Sequence, residues 1–177
     1  LVAPGVKSLA PSCVPAARYR LGPEPLRWLF SKVATAWSDT PGIGGYRGLS
    51  LFGVDGTTVR LQDSDENFRH FGKPGGRGGP GDAGYPQARL VCLLNLGNRL
   101  LADARFGPPS KGEQTLATEL WGSVTDNSLT IVDRGFIDFS TFAALVNSGS
   151  NRHFMVRLKS NSRVEELEEL PDGSILA

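Results

Sequence analysis

The sequence predicts a mixed α/β layered domain, a sheet of about five strands with helices packed on its faces. Three observations predict it. Apolar, β-branched runs of strand length recur at residues 49–54, 88–96, 100–106, 129–132 and 153–158. Segments with helical spacing lie before and between them, at 26–37, 113–121 and 139–146. Two of the strands run out on an aspartate with glycine close behind, in Val54-Asp55-Gly56 and Val132-Asp133-Arg134-Gly135.

Residues 1–22 are rich in Pro, Ala and Gly and are expected to form a loosely ordered lead-in. Pro23 and Pro25 open the first helical pattern, in which Leu26, Leu29, Phe30, Val33 and Trp37 share one face. That stripe reads as a core or domain-docking face, and Pro41-Gly42 stops the helix. Residues 49–54 form the first strand, and 57–61 either continue it or start its partner. Asp63, Asp65 and Glu66 read as loop carboxylates after it.

Residues 72–86 are the most glycine-dense stretch and read as a flexible loop. They lack the Gly-Lys-Ser/Thr ending of a phosphate-binding loop, and no helical pattern comes after them. Lys73 and Arg77 leave an occasional DNA contact open. Residues 88–96 and 100–106 read as a hairpin turning at Gly97-Asn98. The helix at 113–121 has Ser110 as its candidate cap and Leu116, Leu120 and Trp121 as its buried side. Residues 129–132 form a continuous apolar strand, as expected at a central position. Asp138 caps the helix at 139–146, which Asn147-Ser148-Gly149 ends. The strand at 153–158 runs into Lys159-Ser160-Asn161. The acidic segment 165–169 reads as a solvated helical turn or loop, and Pro171-Asp172-Gly173-Ser174 as a turn opening into a strand.

A chain of 177 residues with 40% hydrophobic and 21% charged content can bury a core and is not disordered in composition. Its net charge of +1 neither advertises nor excludes a nucleic-acid binder, because a small basic face hides in a balanced total. Cys13 and Cys92 offer no disulfide framework, and Cys92, inside an apolar run, reads as a buried free thiol. No apolar stretch approaches the roughly 18–20 residues of a membrane span. The first residues lack a Met, a basic leader and a long apolar region, so both ends read as cuts within a longer protein.

The chemistry rests on the two aspartates. If their strands are neighbours, Asp55 and Asp133 meet within reach of one or two Mg²⁺ ions, which take a few hard oxygen ligands and keep waters. Such ions serve in-line attack at a phosphodiester, and Thr57, Thr58 and Arg134 stand beside the carboxylates to hold phosphate oxygens. An Asp before Gly at a strand end is also an ordinary turn residue, so this motif alone leaves both readings open. His70 and His153 have no partner at zinc-ligand spacing, and no Ser-His-Asp triad is suggested.

The surrounding words are more specific. Tyr46-Arg47-Gly48-Leu49, Val54-Asp55-Gly56-Thr57-Thr58, Tyr85-Pro86-Gln87, Gly112-Glu113-Gln114-Thr115-Leu116, Val132-Asp133-Arg134-Gly135-Phe136 and a closing Lys159-Ser160-Asn161 occur in that order. In this the chain resembles the insertion-sequence-four type of DDE transposase, from about residue 21 to the last. The resemblance implies an RNase H-like catalytic core, incomplete here, whose first part occupies 46–161. A lead-in at 1–45, with one amphipathic helix, would contribute to DNA-end binding, and 162–177 would begin a β-rich insertion. It implies metal-dependent strand cleavage and strand transfer at transposon ends, that is, cut-and-paste transposition. Asp55 and Asp133 would be the first two catalytic residues and ligands of Mg²⁺, with Mn²⁺ as a substitute. Thr57, Thr58, Arg134 and Lys159 would bind DNA. The implied partners are double-stranded DNA at transposon ends, target DNA and a second copy of the chain, in the bacterial cytoplasm at the nucleoid and not at a membrane.

The family's third catalytic residue is a Glu in a Tyr-x2-Arg-x3-Glu-x6-Lys signature, which does not occur in these residues. Glu165, Glu166, Glu168 and Glu169 lack the Tyr and Arg partners and come before the insertion. The isolated chain is therefore expected to be weakly active or inactive, with apolar surface left uncovered. A second reading is a catalytically inactive, truncated transposase that binds DNA or a full-length partner. A third is a metal-dependent nuclease of the wider RNase H-like group.

Overall fold

The structure, a computed structural model, describes residues 10–38, 45–73, 84–160, 162 and 165–176. Its spine is β2 (Leu49–Arg60), so residues 57–60 continue the first strand rather than starting a new one. On one side β2 pairs antiparallel with β3 (Gln87–Asn95), which pairs antiparallel with β4 (Leu100–Gly107). On the other it runs parallel to β5 (Ser128–Val132), and β5 runs parallel to β6 (Arg152–Val156). The order is β4-β3-β2-β5-β6, with the two-residue β1 (Gly45–Tyr46) folded back on β2. This is the predicted mixed sheet with flanking helices.

Period-two alternation decides which side of the sheet is buried. Phe52 and Val54 of β2, Val91 and Leu93 of β3 and Val132 of β5 point to one face. Two helices cover it, α4 (Glu113–Thr118) and α5 (Phe139–Asn147). They bring Leu116, Ala117, Phe142 and Leu145, and the connection between α4 and β5 adds Leu120, Trp121 and Val124. Phe142 stacks on Phe154 of β6 with ring centroids 4.1 Å apart. The Asp138 side chain caps α5 by accepting the Thr141 N–H at 2.9 Å, as expected.

Several elements differ from the expectation, each for a local reason. Cys13–Leu21 is a helix, α1, within the segment read as loosely ordered. Its Ala16-Ala17-Arg18 run favours helix, Pro15 sits in the first turn where no hydrogen bond is lost, and Gly22 at φ 68° closes it by donating to the Arg18 carbonyl. The predicted amphipathic helix is α2 (Glu24–Ser38), and it lies against β4. Among the residues of α2 whose burial is described only Ala34 is buried, however, while Leu26, Leu29, Phe30 and Trp37 remain exposed. Asp65 and Glu66 are not loop residues but open α3 (Asp65–Phe71). Ser64 caps it by accepting the Asn67 N–H, and two carboxylates in the first turn suit the helix dipole.

Helix α4 starts after Gly112, not from a Ser110 cap, and ends at Thr118. Tighter bonds, Leu120 N–H to Ala117 and Ser123 N–H to Leu120, then wind the chain into a 3₁₀ turn, Trp121–Ser123, that keeps Leu120 and Trp121 buried. The acidic stretch read as a helical turn contributes Glu168–Glu169, strand β7, paired with β8 (Ile175–Leu176). The predicted turn, with Gly173 at φ 79°, joins them. Most of the glycine-rich stretch (74–83), the Pro41-Gly42 stop and Asn161 lie outside the described residues. Lys73 is described and pairs with Asp63 at 3.6 Å.

The starts of β5 and β6 are locked by a polar clasp. Arg152 donates to the Trp121 carbonyl at 2.9 Å, to Ser148 Oγ at 2.7 Å and to Asp126 Oδ1 at 3.0 Å. The Ser150 N–H donates to the same carboxylate, and that bond, followed by Arg152, holds the Asp126 carboxyl below the usual range. A carboxyl with a depressed folded-state pKa stabilises the fold above its unfolded pKa, and that contribution disappears as pH falls through the folded value. The difference in melting temperature between wild type and Asp126→Asn should therefore be flat near neutrality and close below about pH 4. A difference that widened on acidification would contradict the clasp.

Candidate active site

The parallel register of β2 and β5 brings the two aspartates together. The aligned pairs run from Ser50↔Ser128 to Val54↔Val132, and one more step along both strands sets Asp55 beside Asp133. Adjacent strands lie about 4.8 Å apart, so the two residues are direct neighbours. Val54 and Val132 are buried under the helices, so the period of two turns Asp55 to the opposite face. Both aspartates are exposed. Asp55 Oδ1 accepts the Gly56 N–H at 2.8 Å, and Asp133 Oδ1 accepts the Arg134 N–H at 2.5 Å.

Asp133 is fixed by the short 3₁₀ turn Arg134–Phe136, which it caps. The buried Phe136 anchors that turn by donating its N–H to the Asp133 carbonyl at 2.9 Å. Asp55 is held inside the long β2 ladder, opposite Cys92. Cys92 is half-buried rather than fully buried, and partial burial, then the Asp55 charge, push its thiol pKa up. Asp55→Asn should remove the second cause, lower that pKa and speed alkylation of Cys92 at mildly alkaline pH. An unchanged rate, measured by mass spectrometry, would show that the carboxylate does not sense the thiol.

The other predicted residues are spread around this pair. Thr57 shares the Asp55 face of β2, whereas Thr58 falls on the opposite one. Arg134 directly follows Asp133, and Lys159 lies just beyond the end of β6; both are exposed. Nothing in the sequence singles out Arg157. Because Val132 aligns with Val156, Arg157 is the next residue in the row that contains Asp55 and Asp133. Its place becomes visible only with the strand register.

Two adjacent, exposed carboxylates supply hard oxygen donors of the kind that Mg²⁺ and Mn²⁺ take together with waters, so the donor chemistry fits such an ion. Among the described residues no group of three or more His, Cys, Asp or Glu gathers at one point. A cleft of about 520 Å³ lies on the helical side, lined by Gln114, Thr115, Thr118, Glu119, Asp138, Ser140 and Thr141. It includes neither aspartate.

Residues 46–176 match the transposase DDE domain family, a span that contains both aspartates and the whole sheet. The chain belongs to this family. It is of the IS4 type, being 36% identical over 168 residues to the transposase InsG for insertion sequence element IS4 of Escherichia coli K12. That alignment covers 95% of this chain and 38% of InsG. InsZ of the same strain is 33% identical over 165 residues, covering 93% of this chain and 55% of InsZ. The transposase domain thus spans between about a third and just over half of these relatives. The piggyBac transposase in a synaptic complex with hairpin DNA aligns with a TM-score of 0.42 at 14% identity, over 75% of this chain and 25% of that one. That likeness is too loose to carry weight. Among the described residues of this transposase domain, no helix is long and apolar enough to cross a membrane.

Proposed function

We propose that this transposase domain is the first part of a catalytic core that cleaves DNA strands at transposon ends and joins them to a target, in cut-and-paste fashion. The observation that carries the proposal is the register-adjacent pair Asp55 and Asp133, in a chain of the transposase DDE family. These two carboxylates would hold Mg²⁺, with Mn²⁺ as a substitute. An ion held by Asp55 and Asp133 would supply activation of the attacking oxygen and stabilisation of the leaving oxygen of the phosphodiester. The chain's own task is positioning. Strand pairing fixes Asp55, and the capped turn fixes Asp133, so neither carboxylate needs to reorganise when charge develops.

Thr57, Thr58, Arg134 and Lys159 are proposed to bind DNA, and Arg157 joins them on its place in the strand row. The guanidinium of Arg134 suits bidentate contact with a phosphate. The partners are double-stranded transposon ends and target DNA, with a second copy of the chain in the DNA complex. Helix α2, in the 1–45 lead-in, would lie toward the DNA ends, and the β7–β8 hairpin would begin the β-rich insertion that comes after the core at 162. The bacterial cytoplasm, at the nucleoid, is the matching location.

The test is a Mg²⁺- or Mn²⁺-dependent cleavage assay on DNA carrying the matching ends, with the full-length transposase and with this chain. Metal-dependent nicking that is lost in Asp55→Asn supports the reading. Salt-dependent DNA binding without cleavage by either protein would favour the inactive, DNA-binding alternative. Cleavage by the isolated chain as efficient as that of the full-length protein would show that a third carboxylate outside these residues is not needed.

A further inference from the structure

One motif is not absorbed by this function: Gly112-Glu113-Gln114-Thr115-Leu116, the start of α4. Its first two helical residues reach the two aspartate segments separately. Gln114 Nε2 donates to the Gly135 carbonyl at 3.1 Å, across the turn that Asp133 caps. Glu113 lies over Gly56, the residue after Asp55, so closely that a Cβ on Gly56 would come within 2.8 Å of the Glu113 carboxyl carbon. Glu113 is itself held by Arg89, whose Nε lies 3.7 Å from Glu113 Oε1 and whose Nη1 donates to the Lys111 carbonyl at 2.9 Å. Behind this turn Leu116 and Ala117 are fully buried, which anchors it on the core.

We infer that the first turn of α4 is a clamp on both aspartate motifs, with Gln114 as a positioning residue for Asp133. The inference rests on the proposed reading of Asp55 and Asp133 as a metal pair. β-Pairing ends at Val132, so Asp133 is the first residue past β5 and has no ladder partner, and the turn behind it needs other restraints. The Phe136 anchor supplies one from within the turn. Gln114 supplies the one that comes from a separate, core-anchored element. At Gly56 a side chain would displace Glu113, and at Gly135 Gln114 grips the carbonyl. Outer contacts of this kind set the direction of a metal-binding carboxylate without touching the ion.

The experiment is Mn²⁺ binding to this chain, read by electron paramagnetic resonance of the free ion, with thermal melting of the metal-free proteins alongside. The variants are Gln114→Met, which keeps the length and removes the donor, Asp133→Asn, Asp55→Asn, and the Gln114→Met/Asp133→Asn double variant. Gln114→Met is expected to weaken Mn²⁺ affinity roughly tenfold with an unchanged melting temperature. In the Asp133→Asn background the same substitution should cost nothing further, because the residue it positions no longer binds.

Equal losses in both backgrounds would mean a general folding defect and overturn the clamp. Wild-type affinity in Gln114→Met, with affinity lost in Asp133→Asn, would overturn the clamp and leave the metal pair standing. Wild-type affinity in both Asp55→Asn and Asp133→Asn would instead remove the metal pair on which the clamp depends.

Discussion

Asp55→Ala or Asp133→Ala is expected to abolish metal-dependent DNA cleavage by the full-length transposase while leaving this domain folded. The loss should exceed about a hundredfold, since changes to outer contacts of metal ligands alone cost about 10–100-fold. Folding should survive because both side chains are exposed and each makes one local hydrogen bond, to the next residue's N–H. Removing an exposed side chain leaves no cavity and no buried charge behind, so its effect on stability stays within about 0.5 kcal/mol. Cleavage rate with Mg²⁺ and with Mn²⁺, measured beside the denaturation midpoint, checks both halves. Full cleavage by Asp55→Ala would remove that residue from the site, and a collapsed fold would show that it holds the sheet together.

Phe52→Ala should do the reverse. Phe52 has no exposed surface and sits on the central strand, two residues before Val54 and under the helices. Truncating a buried Phe costs about 3–5 kcal/mol, through lost transfer energy and the cavity left behind. Set against a total stability of roughly 5–15 kcal/mol, that is a large part of it. Phe106→Ala is the matched control. Its ring is 65% exposed, so the same truncation should cost little. Urea denaturation of the two variants should separate them clearly. Equal, small costs would mean that the face carrying Phe52 is not the core.

Much of this was legible because the central strands are apolar in an unambiguous way. Residues 129–132 could only be an interior strand, and Leu116, Leu120 and Trp121 were recognisable as one buried set even though the helix carrying them ends early. The places where structure and expectation part are those where short-range chemistry beats composition. A serine cap turns Asp65 and Glu66 into the first turn of α3, and a tight turn at Gly173 pairs Glu168 and Glu169 with Ile175 and Leu176. Helix α2 shows the opposite failure. Its periodicity is correct, but periodicity does not say how much of a stripe finds a partner, and here Leu26, Leu29, Phe30 and Trp37 stay exposed.

The paired aspartates divide in the same way. The elements are readable along the chain: two strand-end carboxylates, the glycines behind them and motifs specific enough to identify a transposase family. Strand propensity alone leaves their distance open, because the hairpin and helix between them could place β5 anywhere in the sheet. It takes the folded sheet to lay β5 parallel to β2, in the register that sets Asp133 next to Asp55 and brings Arg157 into the same row. The same is true of Glu113 and Gln114, whose contacts with Gly56 and Gly135 exist because α4 packs over the sheet. The physical reason is that strand propensity and capping act over a few residues. Which strands become neighbours is settled by burying Phe52, Val54, Val91, Leu93 and Val132 under one layer of helices.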